Sequence, residues 1–259
     1  MLKVGEVFAF VGVLLLLGIM LYNSSRKHKQ KVQGEAEIKS LRREDVGTVN
    51  EMIKESSEQI SKVFFKISAL YSNVIENLSL HELTELKKNK KDQKKLEKEI
   101  DELKSNVFYF VKNLDDNSVE ASKFYILILG YLQDMVQSID FITTNSYSHV
   151  NNNHKQLKLN QIEDLRTIDK QLQRLLQLLE DSFKTESFYK IDLILNEKDV
   201  VLDTVSQLIT KQIKRIRTTE TSPKNSKLYF SLLLETNDLV KSIMNLLELF
   251  KEFNKLNNK

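Results

Sequence analysis

The sequence predicts an all-α protein: one N-terminal transmembrane helix, then a domain of two tandem three-helix bundles. Three observations carry that expectation. One Pro, six Gly and no Cys leave few breakers in 259 residues rich in Leu, Lys, Glu and Asn. Apolar residues recur at steps of three and four through six long stretches. Ahead of them, Val7 to Tyr22 is uncharged and apolar, and Arg26, Lys27, Lys29 and Lys31 follow it abruptly.

That first run is short for a span, but with Met1 to Glu6 added it reaches the roughly 20 residues a bilayer requires. Lys3 lies near the end, where its stem can snorkel. A signal peptide would need small residues before a cleavage point, and Tyr22 and Asn23 stand there instead. The basic cluster, with Arg42 and Arg43 beyond it, sets the C-terminal side as cytoplasmic. The expected domains are a transmembrane helix over 1–23, a basic juxtamembrane linker over 24–45 and a helical domain over 46–259. Its halves cover about 46–150 and 160–259.

The first domain helix is expected from about Val46 to Ser79. Val49, Ile53, Ser56, Ile60, Val63, Ile67, Leu70 and Val74 make a heptad-like seam, and Met52, Phe64, Tyr71 and Ile75 make a second stripe beside it. Two stripes suit a bundle helix better than a two-stranded coil. The second helix, Leu80 to Asn113, begins as a charge run with Glu–Lys pairing, then gives a seam from Leu96 to Leu114. Ser118 is a plausible N-cap for the third helix. That helix carries the most apolar water-phase stretch: Phe124, Leu127, Ile128, Leu132, Met135, Val136, Ile139 and Ile142, widened by Leu129, Tyr131 and Phe141. It is expected to end near Tyr147, before an Asn-rich loop to Asn160 that holds His149 and His154.

The pattern then restarts. Leu165, Ile168, Leu172, Leu175, Leu179 and Phe183 mark a fourth helix. Phe188, Ile191, Leu195, Leu202, Val205, Ile209, Ile213 and Ile216 mark a fifth. Thr218 to Ser226, with the only Pro, is the next break. Leu228 to Leu256 forms the sixth, with Leu232, Leu239, Ile243, Leu246, Leu247, Phe250 and Phe253 inward.

Little chemistry accompanies this framework. No Gly-rich phosphate loop, H-E-x-x-H, nucleophile elbow or Cys is present, so an enzyme and catalytic residues are not expected. Net charge is only +3, and the aromatics follow helical spacing, which argues against a nucleic-acid partner. Two His five apart are weak evidence for a metal. Asp134 and Asp140 sit beside the apolar face of the third helix, where a carboxylate is solvated, paired or metal-bound.

Six helices in two halves, with acidic residues on the third helix of each, resemble the PhoU family of phosphate-signalling proteins. In that family an acid followed four residues later by Asp on those helices binds metal clusters in some members. Here Asp134 takes the second position of the first motif, with Gly130 four residues before it. Glu235 and Asp238 stand three apart on the sixth helix. The resemblance thus implies Asp134, Glu235 and Asp238 as metal residues, holding a divalent or transition metal weakly, with no other cofactor. The stretches YLQDMVQSIDFIT, HVNNNHKQLKLNQIEDL, KQIKRIR and ETSPKNSKLYFSLLLET are similar to the C-terminal part of bacteroidete-type inorganic phosphate transporters of the PiT family. This second resemblance covers nearly the whole chain, with the transport core missing. It implies a PhoU-like regulatory or accessory part in phosphate transmembrane transport, single-pass in the inner (cytoplasmic) membrane. Its partners would be a phosphate transporter core or related membrane proteins, and a homo-oligomer stays open. The alternative is a membrane-tethered helical scaffold or signalling module.

Overall fold

The computed structural model describes residues 49–112, 119–218 and 221–257. The expected transmembrane helix, the basic linker and the Ser118 cap lie outside the described residues. Among those described, no helix is long and apolar enough to cross a membrane.

Residues Val49–Lys259 form one compact unit, and every described element is helical. The helices are α1 (Val49–Ser79), α2 (Leu83–Lys112), α3 (Val119–Asn151), α4 (Leu159–Lys184), α5 (Ile191–Arg217) and α6 (Pro223–Asn257). Six helices match the six apolar stretches. The boundaries differ in ways that local chemistry explains. α3 runs past Tyr147, so His149 is helical and not in the loop. α6 starts inside the expected break, because Pro223 is its first residue and a missing N–H costs nothing there. Asn225 N–H then donates to the Ser222 hydroxyl, 3.1 Å away, which caps the first turn.

Three helices end in the same way without glycine. His81, Asn153 and Glu186 take φ of 60°, 51° and 52°, two residues after α1, α3 and α4. In each case the next residue's N–H reaches back five residues: Glu82 to Asn77, His154 to His149 and Ser187 to Ser182. These are Schellman ends, which satisfy the last carbonyls and stop the helix.

The two halves do not keep separate cores. The most extensive interfaces join them, α1 on α4 and α3 on α6, while α2 lies against α1 and α3, and α5 against α4 and α6. First helix packs on first helix and third on third, so the halves meet face to face around one continuous hydrophobic cluster. Both pairings are antiparallel. Ser72 donates to Asp169 at 2.6 Å, and Ser68 bonds Gln173 one turn along. Asn145 donates to Ser231 at 2.7 Å, while Phe124 meets Phe250 edge-on 5.0 Å away at the other end. Tyr71 and Thr236 hydroxyls, 2.7 Å apart, tie α1 to α6 through the middle of the core. Burial pushes the Tyr71 phenol well up. Single helices of this polarity are marginal in water; shared burial across the halves supplies the missing stability.

The core positions are largely those of the apolar seams. Ile60, Val63, Ile67, Leu70 and Val74 are buried on α1, as are Phe64, Tyr71 and Ile75 of the second stripe. On α3, Leu127 and Phe141 are exposed while the rest of the seam is inside. On α5 the face is rotated. Ile194, Val201, Val205 and Leu208 are buried, whereas Leu195, Ile213 and Ile216 are exposed. One end of the bundle is closed by aromatic rings: Phe183 packs edge-on against Phe64, Phe188 and Phe250 at 4.8–5.5 Å. Such pairs add about 0.5–1.5 kcal/mol each beyond area burial.

Candidate functional site

Two polar features could carry function: an acidic cleft between α2 and α3, and a buried polar junction where α4, α5 and α6 meet. The cleft follows from α2's charge run lying antiparallel to α3. Its volume is about 280 Å³, and Gln93, Glu97, Asp101, Asp134, Gln137 and Asp140 are among its lining. Lys94 sits at its edge, 2.7 Å from Glu97 and 3.7 Å from Asp140. The bond to Glu97, with Asp140 behind it, raises the Lys94 pKa. Asp140 is therefore a paired edge carboxylate, and Asp134 is exposed on the same wall. Gln93 is fully buried with neither amide atom partnered among the described residues.

The structure does not gather Asp134 with Glu235 and Asp238. In the α3–α6 register, Asn145 is level with Ser231 and Phe124 with Phe250. Asp134 is then about six residues along the pair from Glu235, roughly 9 Å at 1.5 Å per residue. Asp238 is exposed and lies 3.5 Å from Lys241. Glu235 is half-buried, and burial followed by repulsion from Asp238 raises its carboxyl above the usual range. Among the described residues no three His, Asp or Glu side chains are placed to share an ion. Nor do His149 and His154 form a ligand pair. His149 Nε2 donates to the Lys155 carbonyl at 2.9 Å, and its ring meets His154 edge-on. Burial, with His154 and His81 nearby, keeps the His149 pKa low against that hydrogen bond, so the ring is neutral at pH 7.

The junction is the more highly built feature. Asp164 of α4 accepts from Arg215 of α5 at 2.7 Å, from Lys211 at 2.7 Å and from Tyr229 of α6 at 3.0 Å. Arg215 also donates to the Asn160 carbonyl and to Gln212, and its guanidinium lies over the Tyr229 ring. Gln212 is itself an acceptor for Gln161 and a donor to Ser226. Asp164, Arg215, Gln161, Gln212 and Tyr229 are all buried. Burial alone would raise the Asp164 pKa. The bonds from Lys211, Arg215 and Tyr229 outweigh it and hold the carboxyl below its usual range. Chemically this is a closed, mutually satisfied ion-pair network that locks three helix ends together.

No protein-family model matches the chain, and no curated protein matches it. The geometry therefore carries the functional argument. Of the four stretches whose resemblance was noted, three converge on the junction. HVNNNHKQLKLNQIEDL supplies Gln156, Gln161 and Asp164; KQIKRIR supplies Lys211, Gln212 and Arg215; ETSPKNSKLYFSLLLET supplies Asn225, Ser226 and Tyr229. The fourth, YLQDMVQSIDFIT, supplies one wall of the cleft. Residue-by-residue reading missed Asp164, Arg215 and Tyr229, because charged residues inside helical patterns read as solvent-facing. A signal was present: Val201, Val205, Leu208, Gln212 and Arg215 continue one stripe at steps of four and three.

Proposed function

We propose that the chain is a membrane-anchored, PhoU-like regulatory or accessory part of inorganic phosphate transport, acting beside a separate transport core. The observation that supports it best is the pairing of two sets of three helices, packed first on fourth and third on sixth. The four stretches that resemble the tail of PiT-family transporters line its junction and its cleft. In this reading Val7 to Tyr22 holds the domain at the cytoplasmic face of the inner membrane. A rigid bundle so placed biases a transporter only through contacts that differ between the transporter's states. Asp134, Glu235 and Asp238 hold metal weakly or not at all, since roughly six oxygen donors suit a hard cation and Asp134 is not gathered with the other two.

A second reading, a tethered scaffold for partner helices, is favoured by the exposed Leu195, Ile213 and Ile216 on the outer side of α5. The test is recovery from cross-linked native membranes. Phosphate-transport proteins should copurify with the full chain, and carbonate washing should leave it in the membrane. Recovery in the soluble fraction, or copurification only with proteins unrelated to phosphate, would overturn the first reading.

A further inference from the structure

The turns α1–α2, α3–α4 and α5–α6 are bound to one another at one end of the bundle. Gln156 donates to the Ser79 carbonyl, Asn225 donates to the Gln156 carbonyl, and Arg215 donates to the Asn160 carbonyl. Charge is strongly polarised toward this end. From Val49 to Lys259 the chain has 31 Lys or Arg and 31 Asp or Glu. Residues 76–91, 149–166, 211–218 and 221–227, which form this end, hold thirteen basic and five acidic residues. Three of those acids are already paired: Glu76 with Arg166, Glu85 with Lys88, and Asp164 with Lys211 and Arg215. Lys155, Lys158, Lys214, Arg217, Lys224 and Lys227 are exposed. Large apolar side chains stand out among them: Leu80 and Leu83 beside the first turn, Leu159 beside the second, and Ile213 and Ile216 beside the third.

We propose that this end is a docking face for an anionic membrane surface, with the lysines and arginines on lipid headgroups and the leucines entering between them. Basic side chains interspersed with projecting apolar tips are what interfacial membrane binding requires. An acidic protein partner would be met by a groove or a continuous stripe, whereas these apolar residues are separate points on the helix ends that border three linked turns. Burying them in headgroups explains why a domain of zero net charge concentrates its basic residues there. The proposal goes beyond the transport reading and does not depend on it, because vesicles contain no transporter.

The absence of Cys makes a direct test available. Leu159→Cys and Tyr189→Cys variants of the full chain carry an environment-sensitive fluorophore and are incorporated into vesicles. Tyr189 is exposed beyond the far end of α4, a 26-residue helix that starts at this face. In phosphatidylcholine–phosphatidylserine vesicles the Leu159 probe should shift to the blue and become accessible to lipid-borne quenchers, and the Tyr189 probe should not. The shift should vanish in high salt and in pure phosphatidylcholine. Adding Lys158→Glu, Lys214→Glu and Arg217→Glu together should weaken the response by about tenfold or more. No shift at Leu159 on anionic vesicles, or an equal shift on neutral ones, would overturn the proposal. The first result would leave an acidic protein as the partner of this end.

Discussion

Arg215→Met should destabilise the helical domain by about 3 kcal/mol, the lower end of what removing one partner of a buried pair costs. Arg215 is 5% exposed and its Nη2 lies 2.7 Å from Asp164 Oδ2, so the deletion strands a carboxylate that is 8% exposed. Lys211 remains 2.7 Å from Oδ1 and Tyr229 still donates to Oδ2, which keeps the loss below the upper end. The assay is urea unfolding of the chain from Val49 onward, followed by circular dichroism. For a domain of this size the change corresponds to roughly 6–12 °C in Tm. Asp164→Leu in the same background should lose less than the sum of the two single changes, since no unpaired charge is left buried. The pH dependence has a definite sign. Asp164 has a depressed folded-state pKa, so its stabilising contribution is present above about pH 4 and is lost as pH falls through the folded value. The penalty of Arg215→Met should therefore shrink in acid. A loss under about 1 kcal/mol at neutral pH, or strict additivity with Asp164→Leu, would refute the locking role.

Three further outcomes follow from the packing. Ile139→Asp puts an unpaired charge at a fully buried position of α3 and should cost more than about 4 kcal/mol in the same assay; unchanged melting would mean that this face is not the core. Gly130 has open space where a Cβ would go, so Gly130→Ala should stabilise by up to about 1 kcal/mol through helix propensity alone, and a loss would show that the glycine is needed. Asp169 has its carboxyl pKa raised, first by burial and then by Glu76, against bonds from Ser72 and Gln173. A raised carboxyl favours folding below the unfolded pKa and loses that advantage as pH rises, so Asp169→Asn should gain stability at pH 7 relative to pH 3, as read by paired melts. A variant that is equally or more harmful at neutral pH would contradict that sign.

The helical framework was legible because apolar periodicity runs through the helices: the α1, α3, α4 and α6 seams supply most of the core. What escaped was set by polar partners distant in sequence. Ile213 and Ile216 read as inward residues until Gln212 and Arg215 found Gln161 and Asp164, about fifty residues earlier, and turned α5 the other way. The first helix ends at the expected Ser79, but the end of α3 escaped, since Asn153 takes a backbone conformation that usually signals glycine. The single shared core was hidden too: periodicity identifies each buried face but says nothing of which helix will cover it. The acidic residues were legible as residues, but the register of α3 on α6 was needed to see that Asp134 stays apart from Glu235.

The most direct measurement of the central claim is phosphate uptake by source cells from which the chain has been removed and then restored. A part in phosphate transport requires that removal change the rate of uptake, or its response to phosphate limitation. Restoration of the full chain should reverse the change, while a chain beginning at Val49 and so lacking the apolar N-terminal run should not. Identical uptake and identical phosphate response in cells with and without the chain would contradict it.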